Sequence, residues 1–138
     1  MRTKKKTQTE KFQIADLRSQ ADQGDADAQH NLGFLYAFGQ GVPQDYAMAR
    51  QWYEKAAAQG DADAQTILGV MYHLGQGVSQ DYAKARQWYE KVADLGDANA
   101  QNNIGVMYHR GQGVPQDYAK ARHWFMKDDA QGDAEAAY

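Results

Sequence analysis

Residues 39–47 read GQGVPQDYA, and the chain returns to them twice, as GQGVSQDYA at 75–83 and GQGVPQDYA at 111–119. The interval is 36 residues both times. Repetition at a period of roughly 20–50 residues marks an architecture built from stacked copies of one supersecondary unit. Outward from the nonapeptide, Gly24, Gly60, Gly96 and Gly132 keep the same beat, each followed by aspartate and alanine. The repeats are therefore 25–60, 61–96 and 97–132; the first two agree at 25 of 36 positions and the second and third at 23 of 36. Residues 12–24 align with the end of a unit and form a partial helix before the array. Residues 133–138 align with the truncated start of a further unit.

Each unit reads as two helices. In the second, Asp61 is placed to cap a helix whose Ala64, Leu68, Met71 and Tyr72 recur at three- and four-residue spacing, which is one helical face. Gly75 and Gly77 end it, since glycine enters the left-handed region at least cost. Asp81 then caps a second helix with Tyr82, Ala85, Tyr89 and Val92 on one face and Trp88 at its edge. Pro43 and Pro115 stand just ahead of the equivalent second helices, where a missing N–H does no harm. A helix pair of this size cannot bury its aromatic face alone, so copies stack. Gly33, Gly69 and Gly105 fall inside first helices, at about 1 kcal/mol each relative to alanine; close approach of the paired helix is the expected return. The fold class is all-α.

The pattern AxAQxxLGxxYxxGxGVxQDYxxAxxWYxKAAxQGD over residues 12–138 resembles the Sel-one-like repeat family, a relative of the tetratricopeptide repeat with a longer inter-helix loop. The resemblance implies an α-solenoid, a right-handed superhelix of antiparallel helix pairs whose first helices line a concave face. It also implies an adaptor that holds other proteins, and in bacteria members are often exported or act at the host interface.

Composition narrows the function. The 138 residues contain no cysteine, which removes disulfides, thiolate metal sites and cysteine nucleophiles. No apolar run reaches the roughly 18 residues of a membrane helix, so no membrane insertion is expected. The basic start MRTKKKTQTEKFQI has no apolar stretch behind it, and no secretory leader is read there; the expectation is cytoplasmic unless a leader preceded Met1. Residues 1–11 hold five basic residues against Glu10, a balance of +4, and read as a solvated tail. The remainder holds 10 Lys+Arg and 17 Asp+Glu, a balance of −7, so nucleic acid is not an expected partner.

Positions that differ between the repeats are where specificity can be written. On the first helix these include His30/Thr66/Asn102, Phe34/Val70/Val106, Ala37/His73/His109 and Phe38/Leu74/Arg110. Within a repeat they fall at i, i+4, i+7 and i+8, one stripe away from the Leu–Tyr packing face. Counting from the LG pair, as the resemblance to tetratricopeptide repeats implies, selects nearly the same residues. They are Asp27, His30, Phe34, Ala37 and Phe38 in the first repeat, Asp63, Thr66, Val70, His73 and Leu74 in the second, and Asn99, Asn102, Val106, His109 and Arg110 in the third. Phe34 and Phe38 could grip an apolar side chain or pack on the helix at 12–23; Arg110 suits a carboxylate.

His73 and His109, equivalent in adjacent repeats, lack a third ligand, so no metal is expected. Trp52, Trp88 and Trp124 recur and are assigned to packing; Asp45, Asp81 and Asp117 recur as caps. No catalytic constellation is visible, and no enzyme activity and no cofactor are expected. In the third repeat Asp128–Asp129 replace Val92–Ala93, which makes 117–132 the expected polar cap of the array. The expected function is a non-enzymatic scaffold or adaptor that binds a peptide or partner-protein segment in the concave groove. The alternatives are a self-associating module, joined weakly through the array ends, and a cell-wall or carbohydrate-binding or hydrolase-like effector.

Overall fold

The computed structural model describes the backbone of residues 8–136 and the side chains of residues 13–127. The expected roles of residues 1–7, of the Asp128–Asp129 side chains and of Ala137–Tyr138 lie outside what is described. Seven helices and no strand make up the described residues: α1 (Gln8–Asp22), α2 (Ala26–Phe38), α3 (Tyr46–Ala58), α4 (Ala62–Leu74), α5 (Tyr82–Ala93), α6 (Ala98–Arg110) and α7 (Tyr118–Ala136). No helix among them is long and apolar enough to cross a membrane. They group into two compact units, unit 1 of Met1–Ala64 with Gln76–Val78 and unit 2 of Gln65–Gly75 with Ser79–Tyr138.

The repeated aspartates start the helices as their chemistry requires. Asp25 and Asp61 accept from the amides of Ala28 and Ala64. Asp45, Asp81 and Asp117 accept from Met48, Lys84 and Lys120, in each case satisfying one of the orphan donors of a helix's first turn.

The turn motif divides its work among four residues. Its first glycine, Gly39 or Gly111, is left-handed and ends the first helix by donating to Leu35 or Met107. Its second glutamine reaches back to the final turn, Gln44 Nε2 to Ala37 O at 2.9 Å and Gln80 Nε2 to His73 O at 2.8 Å. The aspartate amide donates to the tyrosine carbonyl nine residues earlier, Asp81 to Tyr72 at 2.9 Å, while its carboxylate caps the next helix.

The second glycine does something the helix-stop reading missed. A Cβ on Gly77 would lie 2.5 Å from the carbonyl carbon and oxygen of Tyr46, and one on Gly113 would lie 2.7 Å from Tyr82 Cβ. This glycine makes room for the start of the previous repeat's second helix. Arg50 Nε donates to Gly77 O at 3.2 Å across the same contact.

Within each helix pair the mid-helix glycine admits an aromatic ring. A Cβ on Gly33 would come within 2.8 Å of Tyr53, on Gly69 within 2.5 Å of Tyr89, and on Gly105 within 2.6 Å of Phe125. Tyr53 is buried in unit 1 with Leu32, and Tyr89 is buried in unit 2, as are Leu68, Ile104 and Val92. In unit 1 the core joins Ala21, Ala28, Leu32 and Trp52, with Leu17, Leu35 and Tyr36 packed at its border. Lysines three residues after each tryptophan lie over the indole, Lys55 on Trp52, Lys91 on Trp88 and Lys127 on Trp124, all at 4.5 Å from the ring centre.

The alignment places a break at Gly132, yet α7 continues through it to Ala136. The backbone there does not repeat the left-handed turns of Gly60 and Gly96.

Candidate functional site

Burial of the small and aliphatic face of α2 leaves the opposite face in water. Asp27, Asn31, Phe34 and Phe38 are its exposed positions, at i, i+4, i+7 and i+11, within a narrow arc of a 3.6-residue helix. Phe34 is 41% exposed and Phe38 62%, and their rings rest on one another with centroids 4.6 Å apart. The packing of α1 on α2 runs through Leu17, Ala21, Leu32, Leu35 and Tyr36 instead. Asn31 was not among the sequence candidates, although Asn31, Ile67 and Asn103 also differ between repeats.

His30 stands beside this stripe, half-buried. Its Nδ1 is 3.5 Å from Asp61 Oδ2, and its ring meets Tyr53 edge-on at 5.6 Å. That nitrogen is buried without an aligned hydrogen-bond partner, so the approach to Asp61 is a contact rather than a hydrogen bond. The Tyr53 hydroxyl is pushed up to about 12 by burial first and by the Asp61 carboxylate second. Asp63, at the position equivalent to Asp27, is exposed.

In unit 2 the equivalent positions are less uniform. Leu74 is 59% exposed, Asn99, Asn102, His109 and Arg110 are exposed, and Thr66, Val70 and Val106 are half-buried. His73 is drawn into a polar network. Its Nε2 is 2.8 Å from Gln112 Oε1, and its Nδ1 is 3.4 Å from the Tyr89 hydroxyl. One neutral tautomer serves both, Nε2–H donating to the amide oxygen and Nδ1 accepting from the hydroxyl. Burial raises the Tyr89 hydroxyl above the ordinary tyrosine range, which keeps it a donor. His109 lies against the Tyr118 ring at 5.1 Å, as His73 lies against the equivalent Tyr82 at 5.4 Å. No group of three His, Cys, Asp or Glu among the described residues could hold a metal ion.

The recurring elements are a capped helix pair, an aromatic ring seated on a mid-helix glycine and a GQG turn wedged on the preceding repeat. These are the elements of a helical-repeat protein, and the family follows from them. The Sel1 repeat model matches residues 26–61, 62–97 and 98–127, and the chain belongs to the Sel1 repeat family. It is similar to a protective antigen of uropathogenic Escherichia coli that displays an SLR fold, with 46% identity and a TM-score of 0.80 over 84% of this chain and 25% of that one. It is similar also to a Sel1 repeat protein from Oxalobacter formigenes, with 41% identity and a TM-score of 0.75 over 86% of this chain and 49% of that one. Cysteine-rich protein B of Helicobacter pylori shares 30% identity and a TM-score of 0.59 over 63% of this chain and 65% of that one. The chain spans a quarter of the first of these structures and about half of the second. No curated protein matches the chain. Sel1 repeats are typically non-catalytic and generally serve as scaffolds for protein partners.

Proposed function

We propose that this chain is a non-enzymatic scaffold that holds a peptide, or a segment of a partner protein, on the exposed faces of its first helices. The observation that carries the reading is the stacked pair Phe34–Phe38, held in water on a helix whose other face is packed. Two large aromatic rings side by side at the surface form an apolar patch of the kind that marks interaction sites. They do not contribute to the α1–α2 core, which Leu35 and Tyr36 border.

In unit 2 the same helix positions offer Leu74 and Val70 for apolar contact, Asn99 and Asn102 for backbone amides, and His109 and Arg110 for a carboxylate. His30, Thr66, His73 and Val106 are partly buried and would shape the surface more than touch a ligand.

The test is a pull-down from a lysate of the organism that makes the protein, with wild type, Phe34→Ala/Phe38→Ala and Arg110→Ala as baits. Circular dichroism and melting establish that each bait is folded. A band held by wild type and lost with either folded variant supports the reading. The same bands with all three baits would remove these faces from consideration.

A further inference from the structure

His30 is the one titratable residue at its position in the repeat; Thr66 and Asn102 stand at the equivalent places. Its ring leans on the aspartate that starts the next repeat. Asp61 accepts the Ala64 amide at 3.0 Å through Oδ1, which fixes the carboxylate, and its Oδ2 lies 3.5 Å from His30 Nδ1. Both side chains are largely withdrawn from water, at 24% and 17% exposed. Nδ1 itself is buried and has no hydrogen-bond partner among the described residues. Buried polar atoms are nearly always paired, so an unpaired one beside a carboxylate needs a reason. A neutral imidazole gains little there. A protonated one carries a charge, and attraction between unit charges at this distance does not require an aligned hydrogen bond.

The surroundings favour that charge. From α3, Tyr53 meets the imidazole edge-on at 5.6 Å, and its hydroxyl stays neutral, pushed up to about 12 by burial first and by the Asp61 carboxylate second. Asp27 lies one turn earlier on α2 and Asp63 just inside α4, both of them exposed. The described cations of unit 1 are placed elsewhere. Arg50 is held by Glu54 and the Gly77 carbonyl, and Lys55 lies over Trp52. Arg18 is exposed on α1, whose packing on α2 runs through Leu32 and Leu35, on the far side of that helix from His30. We propose that His30 and Asp61 form a proton-operated tie between the first helix of the first repeat and the cap of the first helix of the second. When the imidazole takes up a proton, near pH ~6.5, the contact becomes an ion pair and unit 1 is held more firmly. The folded chain offers that proton a fixed carboxylate and the unfolded chain does not. The contribution is therefore present in acid and lost as pH rises through the imidazole range. Its lower edge lies near pH ~4, where aspartates lose their charge. The inference goes beyond the scaffold reading and does not depend on it.

The experiment is a double-mutant cycle on the full chain: His30→Asn, Asp61→Asn and the two together, unfolded in urea at about pH 5.5 and about pH 8 and followed by circular dichroism. Asparagine keeps the cap on α4 while removing the charge, and the cycle cancels what other titrating groups contribute. The pair is expected to raise the urea midpoint by about 0.5 M at the lower pH and by less than half of that at the higher. Coupling of the same size at both pH values, or none at the lower one, would overturn the proposal and leave the contact as packing. Should His30→Asn fail to fold, His30→Lys takes its place as a cation at both pH values. The midpoint loss caused by Asp61→Asn is then expected to be the same at both. A loss that still varies with pH as it does in wild type would place its source outside His30 and overturn the proposal.

Discussion

Replacing Gly77 with alanine isolates the contact that joins one repeat to the next. Gly77 has φ +70, and alanine in the left-handed region costs roughly 1–2 kcal/mol. The added Cβ would also sit 2.5 Å from the Tyr46 carbonyl and 2.8 Å from the Ala47 amide nitrogen. Those are backbone atoms in the first turn of α3, which cannot rotate away as a side-chain tip would. Moving them adds about 1–3 kcal/mol of overpacking and disturbs the hydrogen bond from Arg50 Nε to Gly77 O. Gly60 is the control: its φ is +93, yet a Cβ there meets nothing within 4 Å. Gly60→Ala therefore carries the backbone strain alone, and Gly77→Ala should exceed it by about 2 kcal/mol. At a urea m-value of about 2 kcal/mol/M, that separates the two midpoints by ~1 M. Urea titrations followed by circular dichroism at 222 nm measure the difference. Equal midpoints for the two variants would refute the wedge and return Gly77 to a simple helix stop.

Three further outcomes follow from the geometry. Tyr89→Phe should cost no more than about 1 kcal/mol in a thermal melt, because its bond to His73 is long at 3.4 Å and Phe125 fills the same seat in the third repeat; a loss above ~2 kcal/mol would show the hydroxyl to be a main support of the pair. Tyr53 stays protonated in the folded chain up to about pH 12, against 10.0 for a free tyrosine. The folded state thus holds a proton that the unfolded chain releases, and stability should fall by up to ~3 kcal/mol as pH rises from 10 to 12. Denaturation across that range should show a smaller decline in Tyr53→Phe, and an identical decline would remove Tyr53 as its source. Asp81→Ala should lower stability by about 1 kcal/mol through loss of the cap on α5, with Asp81→Asn restoring most of it in chemical denaturation; an unchanged midpoint in Asp81→Ala would mean the cap contributes nothing.

Much of the helical framework was legible because its causes are local. Asp61 and Asp81 cap helices three residues ahead of them, and Ala64, Leu68, Met71 and Tyr72 face one way because a helix turns every 3.6 residues. Comparison of three copies of one unit also separated what stacking demands from what it leaves free. The candidate surface was less legible. His73 and Phe34 both stood out as positions that differ between repeats, yet His73 is engaged by Gln112 and Tyr89 while Phe34 stands in water. Gln29 and Gln101 are polar helix residues, yet both are buried and donate to carbonyls eight residues back, Gln29 to Ala21 and Gln101 to Ala93.

The amino-acid sequence by itself determined the repeat, the helix pairs, their caps and the faces they would bury, because each depends on residues within one or two turns of each other. Tertiary structure alone decided which ring fills each glycine seat, which backbone Gly77 admits, and which of the variable side chains remain in water. Those outcomes join residues 20 to 39 apart, such as Gly33 with Tyr53, Gly77 with Tyr46 and His73 with Gln112. Contacts at that separation are set by how whole helices meet, and no spacing rule along one helix encodes where a neighbouring helix will come to rest.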